Sequence, residues 1–195
     1  MFLNQIEKEE INKLELDRFR GAIHLVEDRD TLQRFMPQLM RESRLGFDTE
    51  MRPSFRKGQK NKIALIQLAT REEAWLIRTN RIGMPGSLVQ LLEDPHLLKI
   101  GVGLQDDMQR LGELRRFRPD GFLDLQEYVE AFGIESKSLK KLVAIILGFK
   151  ISKSQQTSDW EAARLSEAQQ LYAATDAWVC LEMYFRLRDA VNDTL

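Results

Sequence analysis

The chain has 195 residues, 43 % hydrophobic and 30 % charged, with a formal net charge of −1. Those totals fit one soluble globular domain with a sizeable core and exclude a disordered or coiled-coil protein. One cysteine, Cys180, excludes an intrachain disulfide framework, residues 1–10 are too polar for a secretory signal, and no apolar run approaches the roughly 20 residues of a membrane span, so a cytoplasmic setting away from membranes is expected.

In chain order, residues 3–18 read as a short polar helix or arm, and the domain core is expected over about 21–188. Gly21 to Glu27 reads as a strand ended by the turn-prone Asp28-Arg29-Asp30. Residues 31–42 carry Leu32, Phe35, Met36, Leu39 and Met40 at helical spacing. Three short apolar runs follow, 45–50, 63–68 and 74–77, two of them joined by a hairpin-like loop, so this region looks antiparallel. The pattern then alternates: a helix near 87–93, a strand near 98–102 and a helix near 104–116, which points to parallel pairing with crossover helices. The last third is helical, with Ser138 as an N-cap candidate, Gly148 as a stop, and a long helix over about 166–188. The fold class is therefore α/β, a mixed central sheet flanked by helices in one domain over 1–195.

Acidic residues recur at positions that these elements can bring together. In a strand, side chains two apart share a face, so Asp48 and Glu50 project together while Thr49 faces the other way. In the last helix Tyr172 and Asp176 stand at i and i+4 on one face, and Ala173 and Ala174 leave room for close packing. Asp106 and Asp107 follow a predicted parallel strand at its carboxyl end, where open α/β sheets place ligands. Two carboxylates a few Å apart repel by about 4 kcal/mol at an effective dielectric near 20, so such a cluster calls for cations or protons. Each piece has an ordinary structural reading beside the functional one: a solvated strand edge for Asp48 and Glu50, a buried aromatic for Tyr172, a helix N-terminal charge for Asp107. Their joint occurrence, in this order, is what favours a metal site.

Phe47-Asp48-Thr49-Glu50, Gly101-Val102-Gly103-Leu104-Gln105-Asp106-Asp107 and Leu171-Tyr172-Ala173-Ala174-Thr175-Asp176-Ala177, together with Ser158-Asp159-Trp160, resemble the motifs of the 3′→5′ exonucleases of the ribonuclease H-like fold. The similarity is to the tyrosine subgroup with four acids, which includes ribonuclease D and the Werner syndrome exonuclease domain, and it runs from about Gly21 to Arg188. It implies two-metal phosphodiester hydrolysis at nucleic-acid 3′ ends, DNA or RNA, with release of nucleoside 5′-monophosphates. Mg²⁺ or Mn²⁺ would be held by Asp48, Glu50, Asp107 and Asp176, with Asp48 between both ions and Asp107 acting through water. Tyr172 would orient the attacking water. The family spacing selects Asp107 over Asp106, which is expected to cap or face solvent.

Arg52, Arg56, Lys57, Lys60 and Lys62 occur with no acid among residues 51–62, so this loop is a candidate phosphate-holding segment, with Phe55 as a base-stacking candidate. Lys137, Lys140 and Lys141 form a weaker group that also reads as the wet face of a helix. Two alternatives stand beside the exonuclease reading: a catalytically inactive nucleic-acid-binding module of the same fold, and a hydrolase of short oligoribonucleotides. No obligate protein partner is expected. A zinc site has too few histidines and cysteines, and Gly101-x-Gly103 lacks the third glycine of a dinucleotide fingerprint.

Overall fold

The computed structural model describes residues 2–53 and 61–192. The N-terminal segment carries α1 (Lys8–Lys13) and leads to β1 (Ala22–Val26) and α2 (Arg29–Leu39). Asp28, expected in a turn, is the N-cap of α2: its carboxylate accepts the Thr31 N–H at 2.7 Å. The hairpin strands β2 (Arg44–Met51), β3 (Ile63–Ala69) and β4 (Glu73–Ile77) follow, then α3 (Thr79–Ile82) and α4 (Gly86–Glu93). After these come β5 (Leu98–Gly101), α5 (Leu104–Leu114), β6 (Phe122–Asp124) and α6 (Leu125–Tyr128), which runs into a 3₁₀ turn at Val129–Phe132. The chain closes with α7 (Leu139–Leu147) and α8 (Glu167–Asn192).

The strands form one sheet in the order β1-β4-β3-β2-β5-β6. β2, β3 and β4 are antiparallel, while β5 joins β2 and β6 joins β5 in parallel. The mixed sheet agrees with the sequence reading, and β1, whose partner the sequence does not assign, runs parallel to β4. The helix between β1 and β2 carries the chain back to a distant position in the sheet, so order along the chain does not dictate pairing.

One face of the sheet is covered by α8, with α7 packed outside it. This approach depends on small residues: a Cβ on Gly46 would lie 1.9 Å from the Ala177 carbonyl oxygen, and Ala173, Ala174 and Ala177 are fully buried. Ser166 and Gln169 open α8 as a capping box, the Gln169 N–H donating to Ser166 Oγ at 3.2 Å and the Ser166 N–H to Gln169 Oε1 at 3.0 Å. The opposite face packs a second apolar layer in which Leu45 and Phe47 meet residues of α2, α4 and α5. Even-numbered residues of β2 thus face α8 and odd-numbered ones face the other layer.

The N-terminal segment, expected as a short polar helix or arm, carries the polar helix α1 and is tied to the domain on either side of it. Ile6 and Phe19 are buried, Phe2 packs edge-on to Phe132, and the Phe19 N–H donates to Thr175 Oγ1 at 3.1 Å. Leu16 bridges Lys150, whose Nζ donates to the Asn12 carbonyl at 2.5 Å. α1 itself buries none of its side chains, so the segment is anchored at both ends with a polar helix between.

Candidate active site

β2 and α8 set the site. Asp48 and Glu50 project from β2 on the α8 side, and Asp176 meets them from α8; one oxygen of each carboxylate lies within 4.8 Å of the others. Tyr172, one turn before Asp176, lines the same cavity of about 810 Å³, its hydroxyl near enough to the Asp176 carboxylate to moderate its rise in pKa. Trp160 lies fully buried behind it, ring centroids 6.0 Å apart.

Asp107 does not join this trio. It stands in the first turn of α5, and its carboxylate accepts the Thr49 hydroxyl at 2.5 Å. Thr49 does face away from Asp48 and Glu50, as strand alternation requires, and α5 lies on that same side of β2. The expected meeting of three elements at one point is therefore a meeting of two, with the fourth acid approaching across the strand. Its charge still reaches Asp48 and Glu50. Asp106 is exposed, as expected.

Burial and mutual repulsion shape the electrostatics. Burial, then the charges of Asp176, Glu50 and Asp107, push the Asp48 carboxyl well above its ordinary range. Burial, with Asp176 and Asp107, raises Glu50 to about 9. Asp176 rises to about 7 through burial, tempered by the Tyr172 hydrogen bond and by Lys140. Asp107 rises to about 6 through burial, opposed by the Thr49 hydroxyl. Burial and the charges of Asp176 and Glu50 also raise Tyr172, which keeps the phenol protonated at neutral pH.

The donor set fits hard divalent cations. Three clustered carboxylates supply the oxygens that Mg²⁺ and Mn²⁺ prefer, and Asp176 Oδ1 is buried with no hydrogen-bond partner among the described residues. An orphaned buried carboxylate oxygen is costly unless a ligand satisfies it.

The basic loop is only partly within view. Arg56, Lys57, Lys60 and Phe55 lie outside the described residues. Arg52, whose side chain is about half exposed, lies 3.7 Å from both Asp159 and Glu161. Of the second basic group, Lys137 pairs with Glu130 at 2.5 Å and also bonds the Gln126 carbonyl. Lys140 departs from the wet-face reading: its ammonium is buried and lines the cavity beside the acids.

Sequence reasoning missed two supports. Asp124 accepts the N–H groups of Gly103 at 3.0 Å and Leu104 at 2.7 Å, fixing the start of α5 and so the height of Asp107. Arg78, fully buried, donates to the carbonyls of Ala162 at 2.5 Å and Ala163 at 3.4 Å and pairs with Glu27 at 2.8 Å, holding the segment that carries Trp160. An isolated Asp or Arg carries no periodic signal that would announce such a role.

A family model described as 3′-5′ exonuclease matches residues 23–192. The chain belongs to the 3′-5′ exonuclease family. Among curated relatives, it is 34 % identical over 155 residues to the mouse bifunctional 3′-5′ exonuclease/ATP-dependent helicase WRN, covering 73 % of this chain and 11 % of that protein. It is 30 % identical over 222 residues to the exonuclease mut-7 homolog of Aedes aegypti, covering 97 % of this chain and 29 % of that one. The chain thus spans less than a third of these relatives. Among solved structures, the Aedes aegypti Nibbler EXO domain superposes with a TM-score of 0.82 at 26 % identity, covering 91 % of this chain and 94 % of that one. Escherichia coli RNase D, at 23 % identity and a TM-score of 0.75 over 86 % of this chain and 45 % of that one, shares the fold. The ribonuclease H-like α/β class expected from the motifs is the fold of this family, a family of nucleases.

Proposed function

We propose that this chain is a single exonuclease domain that hydrolyses phosphodiester bonds at nucleic-acid 3′ ends, releasing nucleoside 5′-monophosphates with two Mg²⁺ or Mn²⁺ ions. The observation that carries it is the carboxylate trio within 4.8 Å, with the Asp176 oxygen unsatisfied and Tyr172 at its side. Asp48, Glu50 and Asp176 would hold one ion, and Asp107, with Asp48, the other through water. Bound divalent cations would acidify the attacking water and offset charge on the phosphate.

The chain's own residues do the positioning. Tyr172, beside Asp176 in the cavity wall, would present its hydroxyl to the attacking water and orient it. Asp124 and Thr49 hold Asp107 in place through the start of α5 and through β2. Trp160 and Arg78 hold the wall behind Tyr172. Among the described residues no helix is long and apolar enough to cross a membrane. The single free cysteine supports a reducing, cytoplasmic setting.

The test is one set of gels: 5′-labelled single-stranded DNA, recessed duplex DNA and RNA, each with Mn²⁺ or chelator. Ladders shortening from the 3′ end only with metal are expected. Cutting that persists in chelator would overturn the metal-dependent reading, and no cutting of any substrate would favour the inactive binding module. A preference confined to the shortest oligoribonucleotides would favour the third reading.

A further inference from the structure

Lys140 is the second residue of α7, and its Nζ is buried in the wall of the acidic cavity with no hydrogen-bond partner among the described residues. No described carboxylate comes within the 4 Å of an ion pair, although Asp176 is near enough to act on it through space. Lys153, which lines the same cavity, repels it. A lysine head taken out of water normally finds a carboxylate or carbonyl. Lys150, close by on the same wall, shows the ordinary outcome by bonding the Asn12 carbonyl at 2.5 Å. Among the described residues Lys140 has no such partner.

The neighbouring acids do not supply the missing anion. When divalent cations fill the carboxylate trio, the field of Asp176 is cancelled and Lys140 faces positive charge on both sides. An anion placed between the metals and Lys140 would satisfy both, without the repulsion left by a neutral partner. From these contacts we propose that Lys140 binds a non-bridging oxygen of the intact phosphate on the 5′ side of the bond being cut, setting the register of the strand against the metals. The assignment rests on the phosphodiester reading above and names a residue for it: a substrate ligand at the start of α7. The bond is charge-assisted from ammonium to phosphate oxygen, and because an ammonium acts as a point charge, arginine can replace it.

The test separates this contact from catalysis. Binding of a single-stranded oligonucleotide is followed by fluorescence anisotropy against salt, with Ca²⁺ in place of Mn²⁺. Lys140→Met is expected to weaken binding about tenfold and to lower the slope of log K against log salt by about 0.7, one phosphate contact on a single strand. Lys140→Arg keeps both values near wild type. In cleavage assays Lys140→Met raises KM more than it lowers kcat. A neutral methylphosphonate at that one linkage penalises the wild type and leaves Lys140→Met indifferent. The wild-type response to methylphosphonate and the Lys140→Arg result stand even if Lys140→Met fails to fold. An unchanged salt slope, an equal methylphosphonate penalty in both proteins, or no binding by the wild type overturns the proposal. Binding with the Lys140 dependence but without any cutting leaves this contact standing and removes the hydrolytic reading instead.

Discussion

Asp48→Asn is expected to make the metal-free protein more stable while abolishing 3′ trimming. With ligand oxygens within 4.8 Å, one ionised pair in the trio costs about 3.5 kcal/mol at an effective dielectric of about 20. Asp48 faces two neighbours, but Glu50, raised to about 9, is largely protonated near neutrality, which leaves Asp176, raised to about 7, as the main opponent. Because Asp48 is pushed well above its ordinary range, the folded protein must hold it protonated or bear part of this repulsion, and asparagine removes that cost, about 2 kcal/mol or a Tm rise of about 4–8 °C for a chain of this length. The sign of the pH dependence follows from the raised pKa values. The folded, metal-free protein holds protons that the unfolded chain has already released, so stability falls as pH climbs from about 4 through about 9. The gap between variant and wild type should therefore close toward about pH 4, where both states are protonated. Thermal melts in chelator across that range measure it. Mn²⁺ at about a hundred times its Kd should add about 2.7 kcal/mol to the wild type and far less to the variant. A variant that melts lower than wild type in chelator, or gains as much from Mn²⁺, would refute the reasoning.

Tyr172→Phe removes the hydroxyl proposed to orient the attacking water but leaves the ring against Trp160, so a slow remnant of activity with an unchanged melt is expected; full activity in a metal-saturated assay would exclude the positioning role. Asp124→Ala strips the acceptor from the first N–H groups of α5, costing about 1–2 kcal/mol in urea denaturation and lowering kcat through Asp107; a change in stability with kcat intact would separate the two effects. Gly46→Ala places a Cβ 1.9 Å from a backbone oxygen of α8, and because neither side can yield cheaply, about 3 kcal/mol is expected to be lost; a melt within error of wild type would show that α8 does not lie as close to β2 as described.

The parts of the site that were legible in the sequence are those governed by local periodicity. Spacing of two in β2 and of four in α8 fixed which side chains share a face, and small residues at 173 and 174 signalled the close approach of α8. Asp107 was harder, because strand alternation shows that Thr49 faces away but says nothing of which layer the helix after β5 will occupy. β6 has three residues and no period to read, and the parallel pairing of β1 depends on where α2 returns the chain. Lys140 reads as a solvated charge in the sequence because the cavity it lines is completed by residues far away in the chain, including Ile11 and Asn12 of the N-terminal segment. The ion pairs of Arg52 with Asp159 and Glu161 were equally out of reach of local pattern, because more than a hundred residues separate the partners.

The account depends on the trio capturing divalent ions. Crystals soaked in Mn²⁺ and measured at the manganese absorption edge test this directly. Anomalous density among Asp48, Glu50 and Asp176, lost in Asp48→Asn, is the predicted result; a trio without bound manganese, or carboxylates turned away from one another, would contradict it.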